Sequence, residues 1–422
     1  MSNIAVLKFG GSSVKNIGRI EHVANIICSY RPNPVVVVVS AMGDTTDYLL
    51  SLARQCDANP DQRELDLLLS TGEQVAIVLL TLILKKKGLK AKSLTGQQAG
   101  ISTSPEHGSA QILDIDADLL RRELSENDVV VVAGFQGISA TGQITTLGRG
   151  GSDTTAVALA AALGVDTCEI YTDVNGVFTA DPNVIKDAVP LAEIAYAECV
   201  QLAKNGAQVI HPRAVELGEQ YNVSVRVRNT FNPANQGTEI KGVIDVEKRK
   251  NYAGVAVDAN HGCISIDGIK PEQNCTTEVI SCISEYCSSV DLISQSVDKN
   301  SETKSLQVSF QYSHIDDALK VITSLKEKFP EIACHADLEL SKVTLVGSGI
   351  QGSAEAALRI VAVLERNEIE VRSVRSSDIF ISCLLSKPKA NEAAKLIHKE
   401  FGLATDFNTR TETENSELCR IA

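Results

Sequence analysis

Aromatic side chains are scarce in this sequence, and tryptophan is absent. Phe, Trp and Tyr make up only 4% of the 422 residues, so few rings are available on which the bases of single-stranded nucleic acid could stack. Positive charge is also in deficit, since 40 Lys and Arg stand against 53 Asp and Glu and leave a formal net charge of −13. A field of that sign repels nucleic acid and anionic lipid. We therefore expect no nucleic-acid partner and no membrane partner.

Paired cysteines are missing as well. The eleven cysteines are scattered, odd in number and without a C-x-x-C pair, which favours reduced core thiols over a disulfide framework or a zinc site. The first residues contain no apolar run of signal length. The longest apolar stretches noted, such as Val35–Val39 and Val129–Ala133, are far shorter than a membrane span. We expect a cytoplasmic protein.

Residues 1–235 alternate short β-rich runs with helical patterns, which predicts an α/β domain with a parallel-rich sheet covered by helices. Apolar residues at helical spacing follow the first strand at Ile20, Val23, Ala24 and Ile27. Ala156–Leu163 is rich in Ala and Leu and favours a helix. The predicted strands are Ile4–Phe9, Val35–Ser40, Lys92–Leu94, Val129–Ala133, Cys168–Thr172 and Val223–Val227.

Beyond a polar segment at Asn229–Gly242, which marks a boundary, a βαββα order occurs twice. The two copies begin at Cys263 and Val343, and their common order predicts two duplicated α+β modules. The expected division is residues 1–235 for the α/β domain, 236–262 for a linker with the first strand of the second region, 263–335 and 336–407 for the modules, and 408–422 for a polar tail.

The first chemical motif is Lys8-Phe9-Gly10-Gly11-Ser12-Ser13. It stands where a buried strand gives way to a helix, and glycines there allow backbone N–H groups to approach a phosphate. A plain tight turn would explain the glycines alone. It does not explain a lysine in a buried strand, which is costly unless the charge is used. No Walker A sequence occurs in the chain.

A second glycine-rich loop, Thr145–Thr155, leads into the Ala- and Leu-rich helix. Capping would account for Ser152 and Asp153. It does not account for Arg149, whose planar guanidinium suits a carboxylate or a phosphate. Two glycine loops, one with Lys and one with Arg, indicate a donor phosphate site beside an anionic acceptor site.

The third motif, Tyr171–Pro182, follows a strand and is dense in turn residues. A long surface loop is an equally good reading. Within it, Asp173 and Asp181 have the chemistry to hold a ribose hydroxyl, a nucleotide amine or metal-bound water. All these loops follow strands, and sheets of this kind bind ligands outside the carboxyl ends of their strands.

The stretch Gly347–Gly352 matches the G-x-G-x-x-G pattern of dinucleotide-binding proteins. A dinucleotide fold needs several more βα units after that pattern, and the remaining chain is too short for them. The duplicated βαββα order explains the segment better.

These motifs, taken together, resemble the aspartate kinase family over the whole chain: an amino-acid kinase domain followed by paired ACT modules. The sequences that carry the resemblance are Val6–Val14, Ser40–Gly43, Gly72-Glu73, Gly134–Gly137, Thr146–Thr154, Tyr171–Asp173, His211–Ala214 and Arg226–Thr230. The resemblance implies phosphorylation of the side-chain carboxylate of L-aspartate by ATP with Mg²⁺, the first step of lysine, threonine and methionine biosynthesis. It also implies a homodimer formed through the ACT modules.

Carried over residue by residue, the resemblance implies four groups of site residues. Lys8 and Asp153 would be catalytic, with Asp153 organising the site, and Gly10, Gly11 and Ser12 would hold the transferring phosphate. The residues implied for aspartate are Thr45, Glu73, Phe135, Arg149 and Ser152. Those implied for the nucleotide are Tyr171, Thr172, Asp173, Phe178, Asp181 and Pro182. No protein ligand for the metal is implied, since Mg²⁺ would be held mainly by ATP phosphates and water.

The chain departs from the family at several points. Asn183 and Gln208 stand where the family usually has Arg and Lys, which predicts weak ATP binding. In the first ACT-like module, Pro271, Gln273 and Asn274 replace the usual Asp and Pro-Gly of the effector loop, so any amino-acid effector, such as lysine or threonine, is expected to inhibit weakly or not at all. Gly347–Gly352 keeps its glycines in the second module, and Ser376-Ser377-Asp378 retains part of the family's strand-start signature.

Two alternatives to aspartate phosphorylation stay open on the sequence. One is another reaction of the same fold, such as that of an acetylglutamate kinase. Glu73 and Arg149 argue against it, because a free amino group and a free α-carboxylate each need a counter-charge. The other is a non-catalytic amino-acid sensor, which the two missing cations favour and the presence of Lys8 and Asp153 opposes.

Overall fold

The computed structural model describes residues 4–207, 209–242, 251–269, 275–287, 289–297, 303–312, 314–329, 333–350 and 354–404. The chain divides into two compact units. The first comprises residues 1–179, 189–204 and 208–249, and the second comprises residues 180–188, 205–207 and 250–422.

The first unit contains two sheets and the helices that cover them. Its strands are β1 (Ala5–Phe9), β2 (Val35–Val39), β3 (Ala91–Leu94), β4 (Ile101–Thr103), β5 (Ile112–Ile115), β6 (Val129–Ala133), β7 (Gln136–Ser139), β8 (Ile144–Thr146), β9 (Thr167–Thr172), β10 (Glu193–Ala195), β11 (Ser224–Asn229) and β12 (Thr238–Lys241). Its helices are α1 (Ile17–Cys28), α2 (Thr45–Cys56), α3 (Gln62–Lys86), α4 (Ala117–Glu126), α5 (Gly151–Leu163), α6 (Tyr196–Lys204) and α7 (Pro212–Tyr221).

The main sheet has eight strands in the order β10-β12-β11-β9-β1-β2-β6-β3. Its neighbours pair in parallel except β11 and β12, which confirms the predicted parallel-rich sheet. Strand β12 lies inside the polar segment interpreted as a boundary, where Thr238 and Ile240 are buried in alternation. A smaller sheet, β5-β4-β7-β8, was not predicted, because strands of three or four residues are too short for a periodic signal.

The two faces of β1 meet different helices. Leu7 and Phe9 join a buried cluster with residues of α1 and α3. Because side chains alternate along a strand, Lys8 points to the opposite face, where α5 packs on β1, β2 and β9. The apolar face predicted for α1 is confirmed, since all four of its residues are buried.

Helix α3 is long and apolar enough to cross a membrane by length and composition. This corrects the expectation that no stretch of the chain reaches that length. A buried core helix passes the same test, and α3 packs on α1, β3 and β6. Its inward face also carries two buried carboxylates, Asp66 and Glu73.

The second unit is built on one antiparallel sheet in the order β14-β15-β13-β16-β18-β17. Its strands are β13 (Gly254–Ile269), β14 (Ser289–Val297), β15 (Lys304–Gln311), β16 (Ala333–Val346), β17 (Val371–Ser376) and β18 (Phe380–Ser386). Its helices are α8 (Cys275–Tyr286), α9 (Ile315–Lys328), α10 (Ala354–Arg366) and α11 (Ala390–Glu400). The predicted βαββα order therefore occurs twice.

The two copies share one sheet, because their first strands pair with each other over a greater length than the sequence indicated. Strands β13 and β16 are far longer than the predicted Cys263–Ile266 and Val343–Val346, and they pair with each other through two register shifts. Each copy nonetheless keeps its own apolar core. The residues predicted to form the effector loop of the first copy, Pro271, Gln273 and Asn274, lie outside the described residues.

The first two glycines of the G-x-G-x-x-G match, Gly347 and Gly349, allow close packing inside this unit, and Gly352 lies outside the described residues. A Cβ atom at Gly347 would lie 2.4 Å from Tyr252 Cα, and one at Gly349 would lie 2.6 Å from Asn251 Cβ. The Gly349 N–H also donates to the Asn251 carbonyl at 2.7 Å. The glycines at 347 and 349 thus allow the segment before β13 to lie against the end of β16.

The opposite faces of α3 give a matched test of its packing. Leu80 is fully buried, whereas Leu82 is 58% exposed. We expect Leu80→Ala to lower the free energy of unfolding by about 2–5 kcal/mol, because it removes buried methyl groups and leaves a cavity. Leu82→Ala should change it by about 0.5 kcal/mol or less. Urea unfolding followed by circular dichroism measures both, and equal losses would contradict this orientation of α3.

Candidate active site

The predicted ligand loops leave the main sheet at neighbouring carboxyl ends. Phe9 at the end of β1 is in register with Tyr171 on β9 and with Val39 at the end of β2. Val39 is in turn in register with Ala133 at the end of β6. The loops that follow these strands therefore start side by side, at the edge where parallel sheets bind ligands.

The centre of this edge is a buried ion pair between Lys8 and Asp153. The Lys8 Nζ and Asp153 Oδ1 atoms are 2.5 Å apart, and both side chains are almost completely buried. Such a pair holds the ammonium in one place. A Cβ atom at Gly10 would lie 3.4 Å from this Nζ atom, so the glycine keeps the space beside the cation open.

Helix α5 begins beside the ion pair with an unusual cap. Gly150 is the N-cap in a left-handed conformation with φ of +70°, and a Cβ atom there would fall 2.0 Å from the His211 ring. No side chain caps the helix, so neither Ser152 nor Asp153 has the capping role that was the simplest reading of the sequence. Asp153 instead accepts a hydrogen bond from the His211 N–H at 3.4 Å, while burial lowers the pKa of His211.

Glu73 is a buried carboxylate with one oxygen unused. Its Oε1 atom accepts a hydrogen bond from the Ala41 N–H at 2.9 Å. Its Oε2 atom is buried and has no hydrogen-bond partner among the described residues. Burial raises the pKa of Glu73 to about 7, against the opposing effect of the Ala41 hydrogen bond. Buried polar atoms are normally paired, so Oε2 is suited to accept a hydrogen bond from a bound ligand.

The loop after β2 packs tightly onto α3 next to Glu73. A Cβ atom at Gly72 would lie 2.9 Å from Ala41 Cβ and 3.6 Å from Thr45 Cγ2. The absence of a side chain at Gly72 therefore lets this loop approach the helix. Thr45 begins α2 and donates from Oγ1 to the Met42 carbonyl at 2.5 Å.

Phe135 follows β6 in a strained conformation with φ of +70°. A bulky residue in that region costs about 1–3 kcal/mol, and such strain is concentrated at functional sites. Its N–H donates to Thr155 Oγ1 on α5 at 3.2 Å. The preceding Gly134 lies against Ser152, since a Cβ atom at 134 would be 2.7 Å from Ser152 Oγ. Phe135 and Ser152, both predicted near aspartate, are thus brought together.

Arg149 is exposed on the loop between β8 and α5 and forms no ion pair with any residue that the structure describes. The loop itself is held rigidly on both sides. Its Leu147 carbonyl accepts a hydrogen bond from Arg213 Nη1 at 3.1 Å. The Leu147 N–H donates to the Phe135 carbonyl at 2.9 Å. A free guanidinium on a fixed loop is suited to receive an anion.

The Gly10–Val14 segment is held in place by Thr230, which directly follows β11. Ser13 Oγ and Thr230 Oγ1 are 2.7 Å apart and buried, and the Ser12 carbonyl accepts a hydrogen bond from Arg19. The Gly10 N–H donates to the Tyr171 carbonyl at 3.2 Å. Thr230 carries this anchor, although the sequence assigned it no role, because only the fold brings residues 13 and 230 together.

The residues predicted for the nucleotide differ in their surroundings. The Tyr171 ring is buried and stacks on the Phe9 ring, with the two ring centroids 4.7 Å apart. The residue contacts the glycine loop through its carbonyl, which accepts the hydrogen bond from the Gly10 N–H. Asp173 is exposed just beyond β9, where its carboxylate accepts from Thr172 Oγ1 at 3.3 Å. Phe178 is half-buried and forms a single bridge with Pro190.

Two predicted nucleotide residues, Asp181 and Pro182, belong to the second unit. There the Asp181 carboxylate accepts a hydrogen bond from the Asn183 N–H at 2.8 Å. Gln208 lies outside the described residues. Roles for Asp181, Pro182, Asn183 and Gln208 remain predictions from the resemblance.

Models of two protein families match the chain. The model of the amino acid kinase family matches residues 3–229, which include every loop of the site built on the main sheet. A model of the ACT domain matches residues 343–401, which fall on the second copy of the βαββα order.

Curated relatives match over almost the full length. The aspartokinase of Geobacillus stearothermophilus is 44% identical over 405 residues, which cover 96% of this chain and 98% of the relative. Aspartokinase 2 of Bacillus subtilis is 40% identical over 403 residues, covering 95% and 98%.

A solved structure shares the fold over a similar range. Aspartokinase III of Escherichia coli, crystallised with aspartate and ADP, superposes with a TM-score of 0.78 at 24% identity and covers 94% of this chain and 99% of that one. At this identity the likeness shows the fold alone. The full-length relatives and the match to the kinase model go further, and together they show that the chain belongs to the aspartokinase branch of the amino acid kinase family.

Proposed function

We propose that the protein transfers the terminal phosphoryl group of ATP to the side-chain carboxylate of L-aspartate and so forms 4-phospho-L-aspartate. The observation that carries the choice of an acceptor with a free ammonium group is the buried carboxylate of Glu73, whose Oε2 atom has no hydrogen-bond partner among the residues that the structure describes. An amino acid with a free ammonium group supplies the donor that this oxygen lacks. Membership of the aspartokinase family supports the same reaction.

The proposed reaction needs no general base. The aspartate side chain has an ordinary pKa of about 3.9, so at neutral pH it is already a nucleophile. The obstacle is repulsion between this carboxylate and the triphosphate. Phosphoryl transfer asks a protein mainly for positioning and for stabilisation of charge, which the cations and backbone N–H groups of this site can provide.

Lys8 is the proposed stabiliser of the transferring group. Its ammonium is fixed by Asp153 and opens onto the space that Gly10 leaves free. Gly10, Gly11 and Ser12 form the loop over that space, and the N-terminus of α5 adds the positive end of its dipole. Asp153 then acts by holding the lysine, and Lys8 acts on the phosphate.

Glu73 and Arg149 are the proposed partners of the ammonium and the α-carboxylate of aspartate. Their charges are opposite, and the α-amino and α-carboxylate groups of an amino acid require both. Thr45, Phe135 and Ser152 are the proposed further contacts of aspartate. Gly72 lets the segment of Thr45 approach the helix that carries Glu73, and Gly134 lets the segment of Phe135 approach Ser152. An N-acetylated acceptor lacks the ammonium, which disfavours an acetylglutamate kinase. A non-catalytic sensor is disfavoured by the fixed Lys8–Asp153 pair.

ATP is the proposed donor, and we propose that it enters with Mg²⁺ bound. Among the described residues, no three His, Cys, Asp or Glu side chains come together as a metal-binding group. Mg²⁺ commonly keeps several waters and is held by substrate phosphates with one or two carboxylates, an arrangement that Asp173 on its exposed loop is free to join. When bound, the metal neutralises phosphate charge. We still expect ATP to bind weakly, because Asn183 and Gln208 replace the Arg and Lys that are usual in the family.

The second unit is the proposed regulatory region and the proposed contact of a homodimer. The lysine-bound form of E. coli aspartokinase III shares the fold with a TM-score of 0.75, and an amino-acid effector is proposed here as well, with weak inhibition. A catalytic region near residues 1–235 and modules near 263–335 and 336–407 stay part of the proposal, and the two separate apolar cores of the second unit support the two modules. A cytoplasmic location is part of the proposal.

The reaction can be tested by trapping the acyl phosphate with hydroxylamine over a panel of acceptors. We expect a hydroxamate from L-aspartate and none from N-acetyl-L-glutamate or N-acetyl-L-aspartate, because the acetylated acceptors cannot pair with Glu73. ATP without an acceptor is the control. A preference for an acetylated acceptor, or no product from any, would contradict the proposed function.

Removal of the Lys8 ammonium should slow catalysis more than it weakens binding. We expect Lys8→Ala to lower kcat by roughly 10²- to 10³-fold, the range for loss of one preorganised charge stabiliser. Lys92→Ala is the matched control, since Lys92 is exposed and pairs with Glu123 on the surface. Thermal melting checks that both variants fold, and a folded Lys8→Ala enzyme with near wild-type kcat would refute this placement of the phosphate.

The pKa of Glu73 predicts a pH dependence for aspartate binding. Below its pKa of about 7, the carboxyl group is protonated and no longer counters the ammonium. The aspartate KM should therefore rise as the pH falls, by about tenfold between pH 8 and pH 6 for a single proton, while the ATP KM does not follow. Glu73→Gln should raise the aspartate KM and flatten its pH profile. An unchanged profile in that variant would show that another group titrates.

A further inference from the structure

Asp66 is a second buried carboxylate on α3, and the sequence assigned it no function. Only 1% of the residue is exposed. Its Oδ1 atom accepts a hydrogen bond from Thr146 Oγ1 at 2.5 Å, and its Oδ2 atom lies 2.8 Å from His107 Nδ1. Both oxygens also lie 3.1 Å from the Gly108 N–H. One carboxylate thus holds donors from the loop at His107 and Gly108 and from the end of strand β8 against the helix.

The loop at residues 107–110, the end of β8 and the loop that follows β8 pack against one another, and we call them the Asp66 layer. The Ala110 N–H donates to the Thr146 carbonyl at 2.9 Å. A Cβ atom at Gly148, whose φ is +75°, would lie 2.9 Å from the Gly108 carbonyl oxygen. Arg213 joins the same layer through Nη2, which donates to the Ala110 carbonyl at 3.0 Å. The layer carries Arg149 at its exposed end.

Helix α3 connects this layer to Glu73. The two carboxylates are seven residues apart, which is close to two turns, so both lie on the inward face and about 10.5 Å apart along the axis. Between them, the Ser70 carbonyl accepts a hydrogen bond from Gln136 Nε2 at 2.8 Å. That contact ties the segment after Phe135 to the same helix.

We propose that Asp66 is a positioning residue that sets the place of Arg149 relative to Glu73, and through it the affinity for the amino acid. The inference rests on the proposed function, because it takes Arg149 and Glu73 as the two partners of the substrate. Packing alone gives no reason for a carboxylate here, since a buried charge is costly unless its hydrogen bonds are used. The hydrogen bonds of Asp66 attach the start of the Arg149 loop to α3.

Thr146 and Asp66 provide paired variants. Asp66→Asn replaces an acceptor with an amide that cannot accept all the hydrogen bonds, and Thr146→Val removes one donor at almost constant volume. We expect each to raise the aspartate KM by about 10- to 100-fold, the range for a weakened hydrogen bond to a charged group, with the ATP KM changed less than about twofold. Thr146→Ser keeps the hydroxyl and should rescue the aspartate KM. Asp118→Asn is the control for the same chemical change, because Asp118 is at an exposed position of α4.

A double-mutant cycle with Arg149→Ala separates positioning from general damage. If Asp66 acts through Arg149, the Asp66→Asn effect on the aspartate KM should largely disappear in the Arg149→Ala background, because coupled residues are not additive. Thr146→Val serves in the same cycle if Asp66→Asn does not fold. Additive effects, or equal rises of both KM values, would overturn the inference.

Failure of this inference is distinguishable from failure of the proposed function. The wild-type protein must first yield a hydroxamate from aspartate in the trapping assay. If it does, and the Asp66 and Thr146 variants bind aspartate normally, only the positioning role is lost. If the wild-type protein does not phosphorylate aspartate, the proposed function itself is wrong.

Discussion

The alternation of side chains along β1 is the constraint on which the site depends. It sends Leu7 and Phe9 into the cluster with α1 and α3, and it sends Lys8 to the opposite face, where α5 lies. An ammonium on that face needs a counter-charge, and Asp153 in the first turn of α5 supplies it at 2.5 Å. A shift of β1 by one residue would exchange the faces and place Lys8 in the apolar cluster.

Glycines determine how closely the other segments approach this pair. The left-handed Gly150 starts α5 against His211, where any side chain would collide with the ring. Gly134 admits Ser152, and Gly72 admits the loop that carries Ala41 and Thr45. Each of these contacts joins the backbone of a glycine to a side chain of another segment. The site is therefore set mainly by main-chain geometry, which is the kind of preorganisation that charge stabilisation requires.

Helix α3 has two roles, and both belong to its buried face. Its length and apolar character make it a core helix of the first unit. Its inward face also carries Asp66 and Glu73, whose surroundings differ. Both oxygens of Asp66 lie within hydrogen-bond distance of groups of the protein, whereas Glu73 keeps one buried oxygen that pairs with none of the described residues. The hydrogen bonds of Asp66 hold segments of the protein together, whereas the second oxygen of Glu73 is available to a substrate.

The sequence alone was sufficient for the parallel-rich sheet, the duplicated βαββα order and the glycine loops at strand ends, because each depends on local periodicity or on residues adjacent in the chain. Tertiary structure alone decided the smaller sheet, the pairing of β13 with β16, and the network of Asp66 with His107 and Thr146. Its members lie on separate segments of the chain, and no spacing in the sequence encodes their meeting. The chemical type of a residue such as Lys8 could be read from the sequence, but its partner could not, because partners are chosen by the folding of distant segments onto one another.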